Sequence, residues 1–340
     1  LTKETVAAYF GRKMQMHEHS LQRLMEYFKK AGRTPTPNNL KQAEMPEGAV
    51  VFDNDNGTAP GLAVEGNGKI AVLMPGPPYE MNAMFQARIR PYLQKFSDKV
   101  LVSRVIRIMG MGESEVEYKL RDYMMCHKNP TVAPYAKQSE VQLRVTASAK
   151  TREEAYGLID PVVEEIKGIL GKAIYGVDVE NMEQAVVQQL KAKGMKIATA
   201  ESCTGGLVSK RITEIPGASD VFECGVCSYA NRIKHELLGV SEQTLERYGA
   251  VSPQTAQQMA EGIRRLSGAE IGISVTGIAG PGGGTEEKPV GLVYIGVSSE
   301  KYSKVERYLS GSKRPGSREH IRFIASQQAL RLALEAIREN

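Results

Sequence analysis

Nine polar residues in the second half of the chain sit beside glycine turns or at the ends of apolar runs: Ser202, Thr204, Ser219, Tyr229, Lys234, Thr276, Arg314, Arg318 and Arg322. The only histidines in that half are His235 and His320, which argues against a Ser-His-Asp triad. Serine with lysine is a chemically sufficient alternative. A lysine partly removed from water loses its proton and can then accept one from a serine hydroxyl. Ser202 and Ser219 are both candidates for that hydroxyl, and Tyr229 could relay or orient the proton. The competing reading makes Lys234 a solvated charge at a helix start and Ser219 an ordinary loop hydroxyl. Arg318 falls in the first turn of an expected helix, where the helix dipole disfavours a cation. An intervening phosphate would relieve this, and so would a salt bridge to Glu319 or Glu335.

Two glycine turns must position these groups. The run Thr199-Ala200-Glu201-Ser202-Cys203-Thr204-Gly205-Gly206 follows an apolar strand at 195–198 and leads into a helix at 207–212. The run 276–284, with Thr276, Gly277, Ala279 and Gly280 at its start, follows a strand at 271–275. A strand-to-helix turn directs backbone N–H groups outward at a helix N-terminus, which suits an anion or a developing oxyanion. Two such turns with a Ser, a Tyr and a Lys between them suggest a walled polar pocket.

The remaining chain reads as further α/β. A helical stripe over 6–29 carries Leu21, Leu24, Met25 and Phe28. A strand at 49–52 precedes the turn 53–57, and a hairpin with turn Glu65-Gly66-Asn67-Gly68 follows. Between about 99 and 178 the order is βαββαβ, which predicts a two-layer α+β sandwich. From 180 on, helices alternate with short apolar strands. A helix over 182–193 ends at Gly194, Ser252-Pro253 begins another, and Ser317 caps the last.

At 340 residues the chain should hold two or three domains. Its net charge of +5 is spread along the sequence, which gives little support to nucleic-acid binding. No apolar run reaches membrane-spanning length, and no signal peptide is legible. The opening residues resemble a helix interior and not a natural start. Cys126, Cys203, Cys224 and Cys227 form no disulfide framework, which points to a reducing cytoplasm. Cys224 and Cys227 lie three apart on an expected strand, so they read as buried thiols facing opposite sides and not as metal ligands.

At this point the residues carry a family resemblance. The run 199–206, the run 229–234 (Tyr-Ala-Asn-Arg-Ile-Lys), the run 249–252 (Gly-Ala-Val-Ser) and 276–284 with 286–291 (Glu-Glu-Lys-Pro-Val-Gly) resemble the C-terminal nicotinamide-nucleotide amidohydrolase (PncC) domain of CinA proteins. The runs 56–61 (Asn-Gly-Thr-Ala-Pro-Gly) and 75–81 resemble the family's MoaB/MogA-like molybdopterin-binding domain, and the middle unit its KH-like domain. The resemblance implies an α/β protein of three units: 1–98 MoaB/MogA-like, 99–178 KH-like α+β, and 179–340 CinA C-terminal.

For the last unit it implies deamidation of nicotinamide mononucleotide to nicotinate mononucleotide and ammonia, in pyridine-nucleotide salvage and without a cofactor. Ser219, matched to the family's loop serine, would be the nucleophile, with Ser202 the alternative. Lys234, with Tyr229, would take the proton. Glu201, Thr204, Gly205, Gly206, Thr276, Gly277, Ala279 and Gly280 would bind substrate, and Arg318 its phosphate. For the first unit it implies a divalent-metal-dependent ADP-ribose pyrophosphatase. That unit's glycine-rich loop and acidic residues are expected ahead of Leu1, so no metal ligands are expected in this segment. A non-enzymatic pterin-binding, competence-related protein is the remaining alternative. A cytoplasmic homodimer acting on small nucleotides, without membrane or nucleic-acid partners, completes the expectation.

Overall fold

The computed structural model describes residues 2–126, 128–310 and 317–340, so Arg314 lies outside the described residues. The chain divides into two compact units, Leu1–Val100 and Leu101–Asn340.

The first unit runs α1 (Thr2–Tyr9), β1 (Met14–Met16), α2 (Glu18–Lys30), α3 (Pro37–Leu40), β2 (Glu44–Pro46), β3 (Val50–Phe52), β4 (Gly61–Gly66), β5 (Lys69–Leu73), α4 (Pro78–Met84) and α5 (Arg90–Gln94). The single helix expected over 6–29 is in fact two. Gly11, at φ +66°, stops the first. Met14–Met16 then pairs antiparallel with Glu44–Pro46, and His17 restarts the helix by accepting from the Ser20 N–H. Strands β3, β4 and β5 form an antiparallel meander. Its hairpin turns at Asn67 and Gly68, both at positive φ, as a two-residue turn of this hand requires.

The second unit opens with β6 (Val100–Ile108), α6 (Glu113–Cys126), β7 (Thr131–Lys137), β8 (Glu140–Ala149), α7 (Arg152–Leu170) and β9 (Ile174–Val177), and its sheet order is β7-β8-β6-β9. This is the βαββαβ order legible in the sequence. After it come α8 (Met182–Lys193), β10 (Ile197–Glu201), α9 (Leu207–Thr213), β11 (Phe222–Cys227), α10 (Asn231–Leu238), α11 (Glu242–Tyr248), α12 (Pro253–Ser267), β12 (Ile271–Gly277), β13 (Leu292–Ser298), β14 (Ser303–Leu309) and α13 (Arg318–Glu339).

Here a five-stranded sheet has the order β11-β10-β12-β13-β14. Strands β11 and β12 both lie parallel to β10, and β13 and β14 continue antiparallel. Alternate residues of β10 face opposite layers. Ile197 joins the core formed with α8, α9 and α13, whereas Ala198 and Ala200 pack with Met259 and Ile263 of α12. Helices therefore cover both faces of the sheet, as a sheet with central parallel strands demands.

Contact between α12 and α10 is close enough to exclude a side chain. A Cβ on Gly262 would lie 1.8 Å from the Leu238 carbonyl oxygen. Alanine is intrinsically better than glycine in a helix by about 1 kcal/mol, but here the clash outweighs that gain. Gly262→Ala is expected to cost about 1–3 kcal/mol, seen as a lower midpoint for this unit in scanning calorimetry.

Candidate active site

Strand β10 is where the chain's winding reverses. The connection through α9 leads to β11 on one side, and the connection through α10, α11 and α12 leads to β12 on the other. The two connections cover opposite faces, so a crevice opens beyond the carboxyl end of β10. Ser202 is the first residue past that end, and its N–H extends the ladder by donating to the Val275 carbonyl at 2.9 Å.

Lys234 reaches the same point from the first turns of α10. It is 1% exposed, the largest of the fully buried side chains among the described residues. Its Nζ lies 3.2 Å from Ser202 Oγ, 2.6 Å from the Ser228 carbonyl oxygen and 3.3 Å from that of Tyr229. None of these partners is a carboxylate. Burial holds the ammonium down to about 8, well below its ordinary 10.5. The neighbouring Cys203 thiol supplies no counter-charge, because burial pushes its own pKa up to about 12. Protonated, the amine has three donors for three acceptors. Neutral, it keeps two donors for the two carbonyls and turns its lone pair to the Ser202 hydroxyl. In that second state the amine can accept a proton from the hydroxyl, the arrangement that general-base activation of a serine needs.

The Ser202–Gly206 turn is tied down on several sides. Glu201, also about 1% exposed, accepts the Val208 N–H at 3.0 Å, and the Ser209 N–H and hydroxyl at 2.8 and 2.7 Å. Its carboxylate thus caps α9 from within, which is favourable at a positive helix end. Both oxygens of Glu201, which was expected to contact substrate, accept hydrogen bonds from α9. Arg322 donates to the Thr204 carbonyl from Nε at 3.2 Å and Nη2 at 2.6 Å. Gly205 and Gly206 take φ of +60° and +90°. Among the described residues, the Thr204 hydroxyl is sealed from solvent without a hydrogen-bond partner, a cost of about 1–3 kcal/mol. Within the turn, the Gly205 N–H donates to the Ser202 carbonyl at 3.1 Å and the Leu207 N–H to the Thr204 carbonyl at 3.3 Å.

Across the crevice, Arg318 donates from Nη1 to the Gly280 carbonyl at 2.8 Å and from Nη2 to the Tyr229 hydroxyl at 3.0 Å. It links the second glycine turn to the loop that leads from β11 into α10. The salt bridge to Glu319 or Glu335 is not formed, and Glu335 pairs instead with Lys304 and Arg331. Tyr229 is 63% exposed and meets Lys234 through its carbonyl, not its ring. Thr276 donates its hydroxyl to the Ala250 carbonyl at 2.6 Å, which brings the 249–252 turn to the site.

Three residues expected to contact substrate are also closely packed. Gly277 lies in the β12–β13 ladder, where a Cβ would meet the Leu292 carbonyl at 2.6 Å. Ala279 faces the core. Gly280, at φ +70°, has Val290 against it and no room for a side chain.

Ser219 requires a correction. It is exposed, in a short turn at Ala218–Asp220 before β11. Phe222, the first residue of β11, pairs with Ile197, the first of β10. Ser219 is therefore at the amino end of parallel strands whose carboxyl ends carry Ser202, about 15 Å away along the sheet at 3.3 Å per residue. It is not a partner of Lys234. The expectation of two buried thiols on β11 also fails. Cys224 is half-buried and Cys227 exposed, because β11 is an edge strand.

Arg322 and Ser228 are the residues whose placement the sequence reading missed. The four-residue spacing of Arg318 and Arg322 puts both on one face of α13 and was the available signal.

Comparisons with known proteins agree with this architecture. Residues 179–337 match the CinA C-terminal domain, 103–176 the damage-inducible protein CinA KH domain, and 1–95 the probable molybdopterin binding domain. A CinA-like protein of Kosmotoga olearia is 47% identical over 99% of this chain and 81% of its own length. A putative competence-damage inducible protein of Clostridium tetani is 47% identical over the whole chain and 81% of its length. The chain belongs to the CinA family. Among solved structures, the competence/damage inducible protein CihA of Agrobacterium tumefaciens is 40% identical over 46% of this chain and 93% of that one, with a TM-score of 0.44.

As a CinA protein, the chain also carries a front-domain cavity of about 400 Å³, lined by Arg23, Lys30, Asp53, Asn54, Asp55 and Asn56 among others. Asp53 is bonded to His19 and Arg23, and Asp55 to Arg23 and Arg88. Hydrogen bonding from Arg88 holds the Asp55 carboxyl below its usual range. Among the described residues no three acidic, histidine or cysteine side chains are placed to share an ion. The residues present do not fit the divalent metal expected for a pyrophosphatase. No described helix is long and apolar enough to cross a membrane.

Proposed function

We propose that the C-terminal domain hydrolyses the carboxamide of nicotinamide mononucleotide, with Ser202 as nucleophile and Lys234 as its base. One observation carries the chemistry: a fully buried amine, without a carboxylate partner, lies in hydrogen-bond contact with Ser202 Oγ. The substrate comes from the family resemblance. Ser202 Oγ attacks the carboxamide carbon while neutral Lys234 takes the hydroxyl proton. The oxyanion faces the turn's N–H groups. Collapse of the tetrahedral intermediate expels ammonia, which leaves with the proton from Lys234. Water then attacks the Ser202 ester, giving up a proton to Lys234; Lys234 passes it to the departing Ser202 Oγ, and the acid released ionises to the carboxylate. Arg318 and Arg322 supply positive charge at the rim for the ribose phosphate.

The test is ammonia release by the full chain from nicotinamide mononucleotide, against free nicotinamide and the nucleoside. Turnover of the nucleotide alone supports the reading, and no ammonia from any of the three rejects it. Since the neutral amine is the active form, the rate must rise as pH passes upward through about 8. Roughly a tenth of Lys234 is neutral at pH 7 and nine-tenths at pH 9, so kcat/KM is expected to rise about tenfold between them. A profile that falls over this range, or a midpoint near 6, contradicts lysine as the base.

A further inference from the structure

We infer that Glu201 and Arg322 are positioning residues that together hold the Ser202–Gly206 turn in its reactive shape. The inference rests on Ser202 being the nucleophile, as proposed above, but not on the identity of the substrate.

The two glycines that follow Thr204 take positive φ without strain, but the turn leaves the buried Thr204 hydroxyl without a partner among the described residues, a cost of about 1–3 kcal/mol. Bonds from outside the turn offset that cost. Two buried or half-buried charged groups supply them, one from the end of β10 and one from α13. Glu201 precedes the nucleophile directly, and its carboxylate reaches forward over the turn to the N–H groups of residues 208 and 209. This fixes the distance between the end of β10 and the start of α9. Arg322, from α13, holds the Thr204 carbonyl with two N–H groups of one guanidinium, which sets the plane of the Thr204–Gly205 peptide.

Glu201 is also coupled to the base. Its carbonyl accepts from the buried Ser228 hydroxyl at 3.5 Å, and the Ser228 carbonyl accepts from Lys234 Nζ at 2.6 Å. A bonded path thus runs from α9 through Glu201 and Ser228 to Lys234 and Ser202. Room is made for it. A Cβ on Gly225 would strike Ser209 Oγ at 2.4 Å, and Ser209 Oγ bridges Glu201 and Thr199. This role uses the Glu201 carboxylate and Arg322 Nε and Nη2 alone, and needs no contact with substrate.

The experiment reads the turn and the dyad without substrate. The full chain is treated with a fluorophosphonate, whose phosphorus is attacked by Ser202 Oγ with loss of fluoride while Lys234 takes the hydroxyl proton. The modified residue is located by mass spectrometry and the rate followed against pH. Wild type is expected to label at Ser202, with a rate that rises through pH 8. Glu201→Gln sets an amide donor against the α9 N–H donors, and Arg322→Met removes the fork. Each is expected to label about a hundredfold more slowly, the scale of an ångström-sized misplacement, with the midpoint still near pH 8 because Lys234 is untouched. Arg322→Lys should recover only part of the rate.

Ser209→Ala removes one bond to Glu201 without altering charge, and is expected to slow labelling less than Glu201→Gln does. It keeps the test open should the charged variants unfold. Labelling of Glu201→Gln and Arg322→Met within twofold of wild type overturns the inference, as does wild type that does not label at Ser202. Normal labelling with no ammonia from the nucleotide leaves this inference standing and rejects the substrate assignment alone.

Discussion

Ser202→Ala is expected to lower ammonia release by at least about 10⁴-fold, while Ser219→Ala stays within about twofold of wild type. Removing the nucleophile of a hydrolytic dyad leaves only binding and oxyanion stabilisation, and losses of this size follow. Ser219 has no such role, because it stands at the amino end of β11 and Lys234 is anchored at the carboxyl end. Its neighbour Asp220 pairs with Lys191 of α8 at 2.8 Å, a surface contact worth little. The comparison is internally controlled, since both changes delete one hydroxyl and neither removes a packing group. Ser202 sits on a ladder bond made by its backbone N–H to Val275, which alanine retains. The Ser202→Ala protein should therefore keep its thermal midpoint. A Ser219→Ala enzyme as inactive as Ser202→Ala would mean that the crevice at β10 is not the reaction centre.

How far the site was legible depends on what kind of information each residue needed. Helix α8 begins at Met182 and ends at Gly194 as read, because an Asn cap and a left-handed glycine are local signals. Ser252 before Pro253 and Ser317 before α13 were legible for the same reason. The pairing of a serine with Lys234 was legible as chemistry, but the choice between Ser202 and Ser219 was not made from types. It depended on strand direction. A residue after one strand and a residue before its parallel neighbour lie at opposite ends of a sheet, and that argument needs β10 and β11 to be known as adjacent. The bonds that Glu201 makes to α9 were not legible, because they depend on where the chain returns. Only the return of the chain at Val208 and Ser209 reveals the donors it meets. The break between α1 and α2 was hidden because the short Met14–Met16 strand forms only by pairing with Glu44–Pro46, a long-range fact. Edge position, which exposes Cys227, is likewise a property of the sheet and not of the strand.

Lys234→Met tests the base, and it is expected to reduce kcat by about 10³–10⁴-fold while abolishing the rise in rate through pH 8. The variant should fold. In wild type burial makes the amine give up its proton more readily, at about 8 in the fold against an ordinary 10.5. Where the folded pKa is depressed in this way for a lysine, the unfolded chain binds more protons between those values. Stability therefore rises as pH goes from about 8 to 10.5, and below about 8 the charged amine costs the fold about 3 kcal/mol. Methionine removes that cost and fills a similar volume. It also leaves the carbonyls of Ser228 and Tyr229 without their donor, a penalty of comparable size at about 1–3 kcal/mol each. The two effects oppose, so the midpoint at pH 7 should move by only a few degrees. The pH dependence of stability between 8 and 10.5 should flatten. Activity and stability thus separate: an unfolded variant would lose both signals, whereas loss of a base alone removes the rate and its pH profile from a protein that still melts cooperatively. Near-normal ammonia release from folded Lys234→Met would remove the lysine from the mechanism. A folded, inactive variant whose residual rate no longer responds to pH near 8 is the outcome that the position of this amine, enclosed between two carbonyls and a serine, requires.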